Sequence, residues 1–428
     1  MVGAPARRTV GEEAHGSPYA AWDRRAENPC DFLIETALYL TIGGLLFSQI
    51  VRDVSAIILM GLLLWTRFTP VEGRHSAMTS GGWPVGAFLL TNVASAALSR
   101  FPRASFEKLR FYPIGVLIFL GTRRVVAQGG SLRLAKAILA IVVCLGADTV
   151  WQYSTGKSLL RGYSAVRGRF MGSLMHPTDV SMLPILLPLA GPALLSTSRR
   201  FLPLTVIGLG IVAVAVVISG TRAAWLALLL FPLVAGWIGG GTRLHLGVAA
   251  IILSISLGGA LLNLSSAPGR LFSLEPYRHD QRVVQWQAAW VLFKEAPLIG
   301  HGPHSFRELC RERQHDPHSV FSKIDLLAAP YPHNLYLEAL VGTGLVGLAM
   351  FLSLLSAPMR TLRRREIDLR LSRGAVASLV IFSLVGLVDM SFVKDWAHLC
   401  FWLPLGVCAG GMWTSLAANA AGRAGSKP

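Results

Sequence analysis

Residues 201–239 read FLPLTVIGLGIVAVAVVISGTRAAWLALLLFPLVAGWIG, and Arg222 is the one ionisable side chain among them. Two apolar runs, 201–219 and 222–239, meet at the short string Ser219-Gly-Thr-Arg222. A helix crossing the hydrocarbon of a bilayer needs about 20 mostly apolar residues. The stretch therefore reads as two membrane helices joined by a tight polar turn at one membrane face. Further runs of this kind lie near 32–51, 53–69, 83–99, 111–128, 132–152, 177–196, 244–263, 333–357, 374–392 and 397–416. The expected fold is an all-α polytopic membrane protein of about twelve transmembrane helices. A long, partly helical loop separates the ninth helix from the tenth.

Composition agrees. Of 428 residues, 53% are hydrophobic and 15% charged, and the mean hydropathy is +0.52. Soluble domains carry about 25% charge, so a soluble chain this apolar could not cover its own surface. Disorder and a disulfide-stapled secreted fold are excluded as well. Five cysteines are too few for a framework, and Cys144, Cys400 and Cys408 lie inside apolar runs.

The net charge of +17 would suggest nucleic acid in a soluble protein. In a membrane protein Lys and Arg are placed by topology, and no nucleic-acid partner is expected. The first thirty residues carry Arg7, Arg8, Arg24 and Arg25 and lack a small-residue cleavage site, so they read as an uncleaved tail. With that tail inside, the inside segments hold 21 Lys and Arg and the short outside loops 11. Both termini are therefore expected in the cytoplasm. The chain divides into a cytoplasmic tail (1–31), nine helices (32–263), a periplasmic loop (264–332), three helices (333–416) and a second cytoplasmic tail (417–428).

Two outside loops stay basic against this trend: Arg100, Arg103, Lys108 and Arg110, then Lys157, Arg161, Arg167 and Arg169. They read either as headgroup anchors or as a face meeting phosphate or another anion.

The long loop is too long for a mere connector. It holds an amphipathic, aromatic run from Arg282 to Phe293, then breaks at Pro297 and at Gly300-His-Gly-Pro303. Six of the eleven histidines fall there or at its end: His279, His301, His304, His315, His318 and His333. His301-x-x-His304 and His315-x-x-His318 have ligand-like spacing, but a zinc site needs further ligands in fixed geometry. These four read better as solvated loop histidines, and no metal or cofactor is expected.

His333 stands apart, because it sits where the apolar, glycine-bearing helix with Gly342, Gly344 and Gly347 emerges outside. A neutral imidazole there can take a proton from a hydroxyl, or it can simply cap the helix. Arg222 either snorkels to the interface or grips a phosphate with its five donors. Arg282, beside Trp286 and Trp290, is a third candidate, against a plain solvated helix face.

At these residues the chain resembles the O-antigen ligase and polymerase superfamily of bacterial membrane glycosyltransferases. Four stretches, within about residues 165–355, carry the resemblance. Arg169-Phe-Met-Gly172-Ser-Leu-Met-His176-Pro177 is similar to the family's G-x-x-x-x-P turn. Ser219-Gly-Thr-Arg222-Ala-Ala-Trp is similar to its S-x-S/T-R-x-A turn. Arg282-Val-Val-Gln-Trp286, followed by Pro297-Leu-Ile-Gly300-His-Gly302-Pro-His-Ser-Phe306, resembles R-x-x-x-W … P-L-x-G-x-G-x-x-x-F. His333-Asn334-Leu-Tyr336-Leu337, with Gly344 and Gly347 after it, resembles H-N-x-Y-L … G-x-x-G-L. Two positions depart: Gly342 stands where the family often has an acidic residue, and Thr178 where it often has Asn.

The resemblance implies an inner-membrane enzyme that transfers a glycan from undecaprenyl pyrophosphate at the periplasmic face. The acceptor is a sugar hydroxyl, on lipid A core for a ligase or on another lipid-linked repeat for a polymerase. Neither metal nor nucleotide sugar is implied, and direct displacement would invert the anomeric centre. Arg222 and Arg282, with Arg169 and Arg161, would hold the leaving pyrophosphate. His333 would be the base, supported by Asn334, Tyr336 and Trp286. The ligase reading leads and the polymerase follows. A transporter of polysaccharide precursors is the rival from another class, but the hydropathy shows no internal repeat.

Overall fold

The computed structural model describes residues 29–68, 83–166, 168–196, 201–239, 281–326, 331–362 and 369–424. The expected span 244–263, the first residues of the long loop with His279, and most of the N-terminal tail lie outside the described residues.

Helices α1 (Pro29–Phe47) and α2 (Gln49–Phe68) form a hairpin about Ser48, with Thr41 Oγ donating to Ser55 Oγ at 3.1 Å. Then follow α3 (Trp83–Ala97), the short α4 (Pro102–Leu109), α5 (Phe111–Ala127) and α6 (Ser131–Thr155). After the next loop come α9 (Leu202–Ile218) and α10 (Arg222–Gly239). The long loop contributes α11 (Gln281–Glu295) and α12 (Phe306–Arg313), and the chain closes with α13 (Leu335–Leu362), α14 (Leu369–Val385) and α15 (Asp395–Ala424). Among the described residues, three helical stretches are long and apolar enough to cross a membrane: Gln49–Thr66, Ser131–Thr155 and Leu335–Met359. Shorter apolar helices accompany them at Trp83–Ala97, Pro203–Ile218, Arg222–Phe231 and Leu371–Val385. The described residues are all-helical apart from loops and isolated β-bridges pairing Lys157 with Ser164 and Val166 with Arg169.

The expected span 177–196 is not one helix. It runs as a 3-10 turn (Pro177–Ser181), α7 (Met182–Leu186), a second 3-10 turn (Leu187–Ala190) and α8 (Gly191–Ser196). Pro177, Pro184, Pro188 and Pro192 each remove a backbone donor, which breaks a continuous helix. The segment compensates by lying inside the protein: Val180, Leu183, Ile185, Leu187 and Leu189 are fully buried. Ser378 Oγ on α14 donates to the Ile185 carbonyl at 2.6 Å. Non-helical backbone at membrane depth is tolerated only when protein surrounds it.

The second correction falls on the expected span 374–392. α14 ends at Val385, and 386–394 is a loop. Gly386 starts it, its N–H bonded to the Phe382 carbonyl at 2.8 Å. Asp389 and Ser391 are polar, and the helix stops before burying them in hydrocarbon.

Helix α13 breaks at Gly344, where φ is 65° and ψ −162°, a conformation open essentially only to glycine. The break lets the loop backbone run alongside. Leu345 N–H donates to the Pro297 carbonyl and His301 N–H to the Val341 carbonyl, both at 2.8 Å. The long loop therefore docks on the membrane body by backbone pairing, and it has a small core of its own. Ala288, Ala289, Leu292, Phe306, Leu309, Cys310, Phe321 and Ile324 pack there with Val341 of α13.

Helix direction sorts the connections into two ends. At one end Arg124 bonds Asp31 at 2.7 Å and Thr66 at 2.9 Å, and Arg133 bonds Glu35 at 2.8 Å. At the other end lie the loops 98–110, 156–176, 219–222, 296–305 and 386–394.

Candidate active site

Four connections at that second end come together. Arg169, at the foot of the bridged hairpin, donates to the Ser219 carbonyl at 3.1 Å and to Thr221 Oγ1 at 2.6 Å. Thr221 Oγ1 in turn donates to the Pro177 carbonyl at 2.8 Å. The 219–222 turn and the Pro177 turn are thus one unit, and Arg222 opens α10 from it with an exposed side chain. The next residue along, Thr178, accepts from Lys394 Nζ at 2.6 Å. Asp179 lies 3.6 Å from the same ammonium and accepts from Trp396 Nε1 at 2.8 Å.

Lys394 also faces the Tyr331 ring at 5.8 Å, and Tyr331 packs against His333 with ring centres 4.4 Å apart and the planes tilted by 46°. His333 has φ of +52°, a region that non-glycine residues adopt only when their surroundings force it. Its Nδ1 lies 2.8 Å from Asp389 Oδ1. Arg282, from α11, comes within 3.6 Å of the other Asp389 oxygen. Trp286, one helical turn later, donates from Nε1 to the Pro332 carbonyl at 3.0 Å and so fixes the backbone just ahead of His333.

The electrostatics favour an ionised carboxylate. Burial alone would raise the Asp389 pKa. The His333 hydrogen bond and the charges of Lys394 and Arg282 outweigh it and bring the carboxyl down to about 2. Burial likewise pulls the Lys394 ammonium down, but Asp179, Tyr331 and Asp389 hold it above its usual value. An ionised Asp389 accepting from Nδ1–H leaves Nε2 of a neutral His333 as the acceptor, the tautomer a general base needs.

The residues expected from sequence therefore fall into four groups, Arg161 standing alone in the last. His333, Arg282 and Trp286 converge directly on Asp389 and Pro332. Arg169 and Arg222 flank the adjoining turn. Asn334 and Tyr336 hold backbone instead: Asn334 Oδ1 caps α13 by accepting from the Tyr336 and Leu337 N–H groups at 3.0 Å, and Tyr336 OH donates to the Ser383 carbonyl at 3.0 Å. Arg161 lies over the Tyr163 ring at 5.7 Å. That hairpin reaches the Gly172 turn through Gln152, which donates to the Tyr163 carbonyl and accepts from Met171 and Gly172.

Asp389, Lys394 and Asp179 were missed by sequence reasoning. Asp389 was placed inside a span, yet the cost of an acidic group in such a run was itself the signal. Thr178, a departure from the family pattern, proves to be a ligand of Lys394.

The histidine pairs also need correction. His315 and His318 are exposed, as expected of solvated loop residues, but His301 and His304 are not solvated. His301 Nε2 lies 2.8 Å from the Leu292 carbonyl. His304 is buried with Nδ1 2.8 Å from Glu338 Oε1. The cause is the docking of 296–305 onto α13, which carries both rings inward. Among the described residues no group of three His, Cys, Asp or Glu side chains is placed to hold a metal ion.

Residues 207–352, which span the α9–α10 turn, α11 and the first part of α13, match the family model described as O-antigen ligase. No curated protein matches the sequence.

Proposed function

From the match of residues 207–352 to the family model described as O-antigen ligase, we propose an O-antigen ligase-like enzyme, a membrane glycosyltransferase that works on lipid-linked glycans. It moves a glycan from undecaprenyl pyrophosphate to a sugar hydroxyl of lipid A core. The reaction takes place at the periplasmic face of the bacterial inner membrane, with both termini cytoplasmic and 264–332 as the periplasmic loop. The observation that carries the reading is the His333–Asp389 pair, 2.8 Å apart, with Arg282 beside it and two further arginines on the adjoining turn.

In this mechanism the acceptor hydroxyl gives its proton to His333 Nε2 as its oxygen bonds the anomeric carbon. The bond from that carbon to the pyrophosphate oxygen breaks, and undecaprenyl pyrophosphate leaves with the electron pair. Displacement on the opposite face inverts the centre. Asp389 fixes the tautomer of His333 and stabilises the imidazolium that forms. Such base catalysis is worth about 10²–10⁴-fold. Arg222, Arg282 and Arg169 neutralise charge building on the leaving group. No step calls for a metal. The exposed Trp290 of α11 offers a flat face to a sugar ring.

The test is complementation of a strain lacking its own copy with His333→Ala and Arg222→Ala, reading surface polysaccharide on a gel and membrane levels by blot. Loss of glycan at normal protein level is expected, and full-length glycan from both variants would overturn the assignment. In the knockout, lipid-linked long chains lacking only transfer to core are the ligase outcome. Single repeats capping the core would instead mean a polymerase joining lipid-linked repeats.

A further inference from the structure

The 386–394 loop carries both Asp389 and Lys394, yet it is short and bounded by two helices, so something must hold it against His333. Helix α13 grips it at three points. Leu335 N–H donates to the Gly386 carbonyl at 2.8 Å. Asn334 Nδ2 donates to the Leu387 carbonyl at 2.9 Å. The third grip is a side-chain pair: Ser391 Oγ donates to Glu338 Oε1 at 2.9 Å. Ser391 Oγ also accepts the Val393 N–H at 3.0 Å, and the Ser391 carbonyl accepts the Lys394 N–H at 3.2 Å. The Glu338 carboxylate is thus tied to the centre of the loop, two residues from Asp389 and three from Lys394.

Glu338 is an expensive way to make such a tie. Its side chain is 8% exposed and that of His304 is 3% exposed. Burying these groups is unfavourable unless they are paired and hydrogen-bonded. Glu338 Oε2 and both ring nitrogens of His304 have no hydrogen-bond partner among the described residues, so the 2.8 Å approach of Nδ1 to Oε1 is a contact of charge and not an aligned hydrogen bond. Both residues border a cavity of about 30 Å³ lined also by Asn92 and Tyr112, large enough for a water molecule. His304 moreover adopts φ of +60°, so the backbone is strained to bring this ring to this carboxylate. A neutral serine-to-carbonyl bond would have tethered the loop at less cost.

We propose that Glu338, held by His304, is a positioning residue that sets the 386–394 loop and so places Asp389 against His333. The inference rests on the transferase reading above. His304 extends the same chain of contacts into the periplasmic loop, because the backbone just before it, at His301 and Gly302, is paired with α13 at Val341 and Gly342. The docked loop therefore acts on Asp389 from two directions. Arg282 meets the carboxylate directly, and His304 sets its backbone through Glu338 and Ser391.

The test compares Glu338→Ala, Glu338→Gln, Asp389→Asn and the double variant Glu338→Ala/Asp389→Asn. The full chain is assayed in proteoliposomes with lipid-linked glycan and a lipid A core acceptor. Glu338→Ala is expected to lower kcat about 10- to 100-fold with KM for donor little changed, the size of loss a misplaced catalytic group gives. Glu338→Gln keeps an acceptor for Ser391 and is expected to restore most of the rate. The double variant is expected to be no slower than Asp389→Asn alone, since residues acting through one another are non-additive. Independent, multiplicative losses would overturn the proposal, as would Glu338→Gln as slow as Glu338→Ala. Wild-type rates in Glu338→Ala with His333→Ala inactive would sink this inference and leave the transferase reading intact. Activity in His333→Ala itself would remove both.

Discussion

At the residue scale the centre of the candidate site is an acid buried against an imidazole. Asp389 is 2% exposed and remains ionised because His333, Lys394 and Arg282 surround it. Asp389→Asn is expected to reduce turnover by about 10²-fold or more, the range a positioned base contributes, with normal membrane levels on a blot. The depressed pKa also sets a pH dependence. An acid that ionises near 3.8 when free and near 2 when folded contributes stability that is fully present above about 3.8. That contribution is lost as pH falls through about 2. Thermal unfolding of the purified protein between pH 2 and 5 is expected to show this loss, and Asp389→Asn to flatten it. His333 and Arg222 stand out in the sequence because each sits at the end of an apolar run beside a turn, Arg169 because its outside loop stays basic, and Arg282 because it lies on an amphipathic run beside Trp286 and Trp290. Asp389 was hidden for the opposite reason. One acidic residue did not interrupt the apolar run enough to move a hydropathy boundary, and two of its partners, His333 and Arg282, come from segments more than fifty residues away.

At the element scale, the helices with regular apolar runs were readable from sequence to within a few residues. α3, α9 and α10 fall where hydropathy puts them. The misreadings come from backbone chemistry that average hydropathy does not weigh. Four prolines turn 177–196 into a chain of short turns, and α14 gives way to a loop at Gly386. Gly344 lies in an apolar run that reads as one helix, but it is the point at which α13 opens to receive the loop. Gly344→Ala is expected to destabilise the fold by about 1–3 kcal/mol from the backbone conformation alone, and by more because the added methyl would also meet the Leu298 carbonyl. A lower unfolding temperature with a proportionate loss of activity would bear this out. An unchanged melt would show that the kink is not imposed by the loop.

At the scale of the molecule, the two ends of the helical body differ in kind. One is closed by exchanges such as Arg124 with Asp31 and Arg133 with Glu35. The other gathers the turns that carry His333, Asp389, Arg222 and Arg169. The excess of Lys and Arg on the first side predicts that it faces the cytoplasm. In a cysteine-free background, Ser154→Cys, at the site end of α6, is expected to react with an impermeant maleimide in whole cells. Gln128→Cys, at the opposite end, is expected to react only after the cells are opened. The reverse pattern would place the chemistry on the other face and remove the lipid-linked donor's access from outside.

The proline-broken segment also bears on how the chain is made. A nascent helix can enter lipid by itself because its backbone is already satisfied. Residues 177–190 cannot, since the Ile185 carbonyl waits for Ser378 and the Pro188 backbone lies against Gly374 on α14. Those partners are synthesised almost two hundred residues later. Until they emerge, the segment has to be kept from the hydrocarbon by the insertion machinery or by the helices already made. Assembly of this membrane body is therefore bound to completion of its C-terminal third.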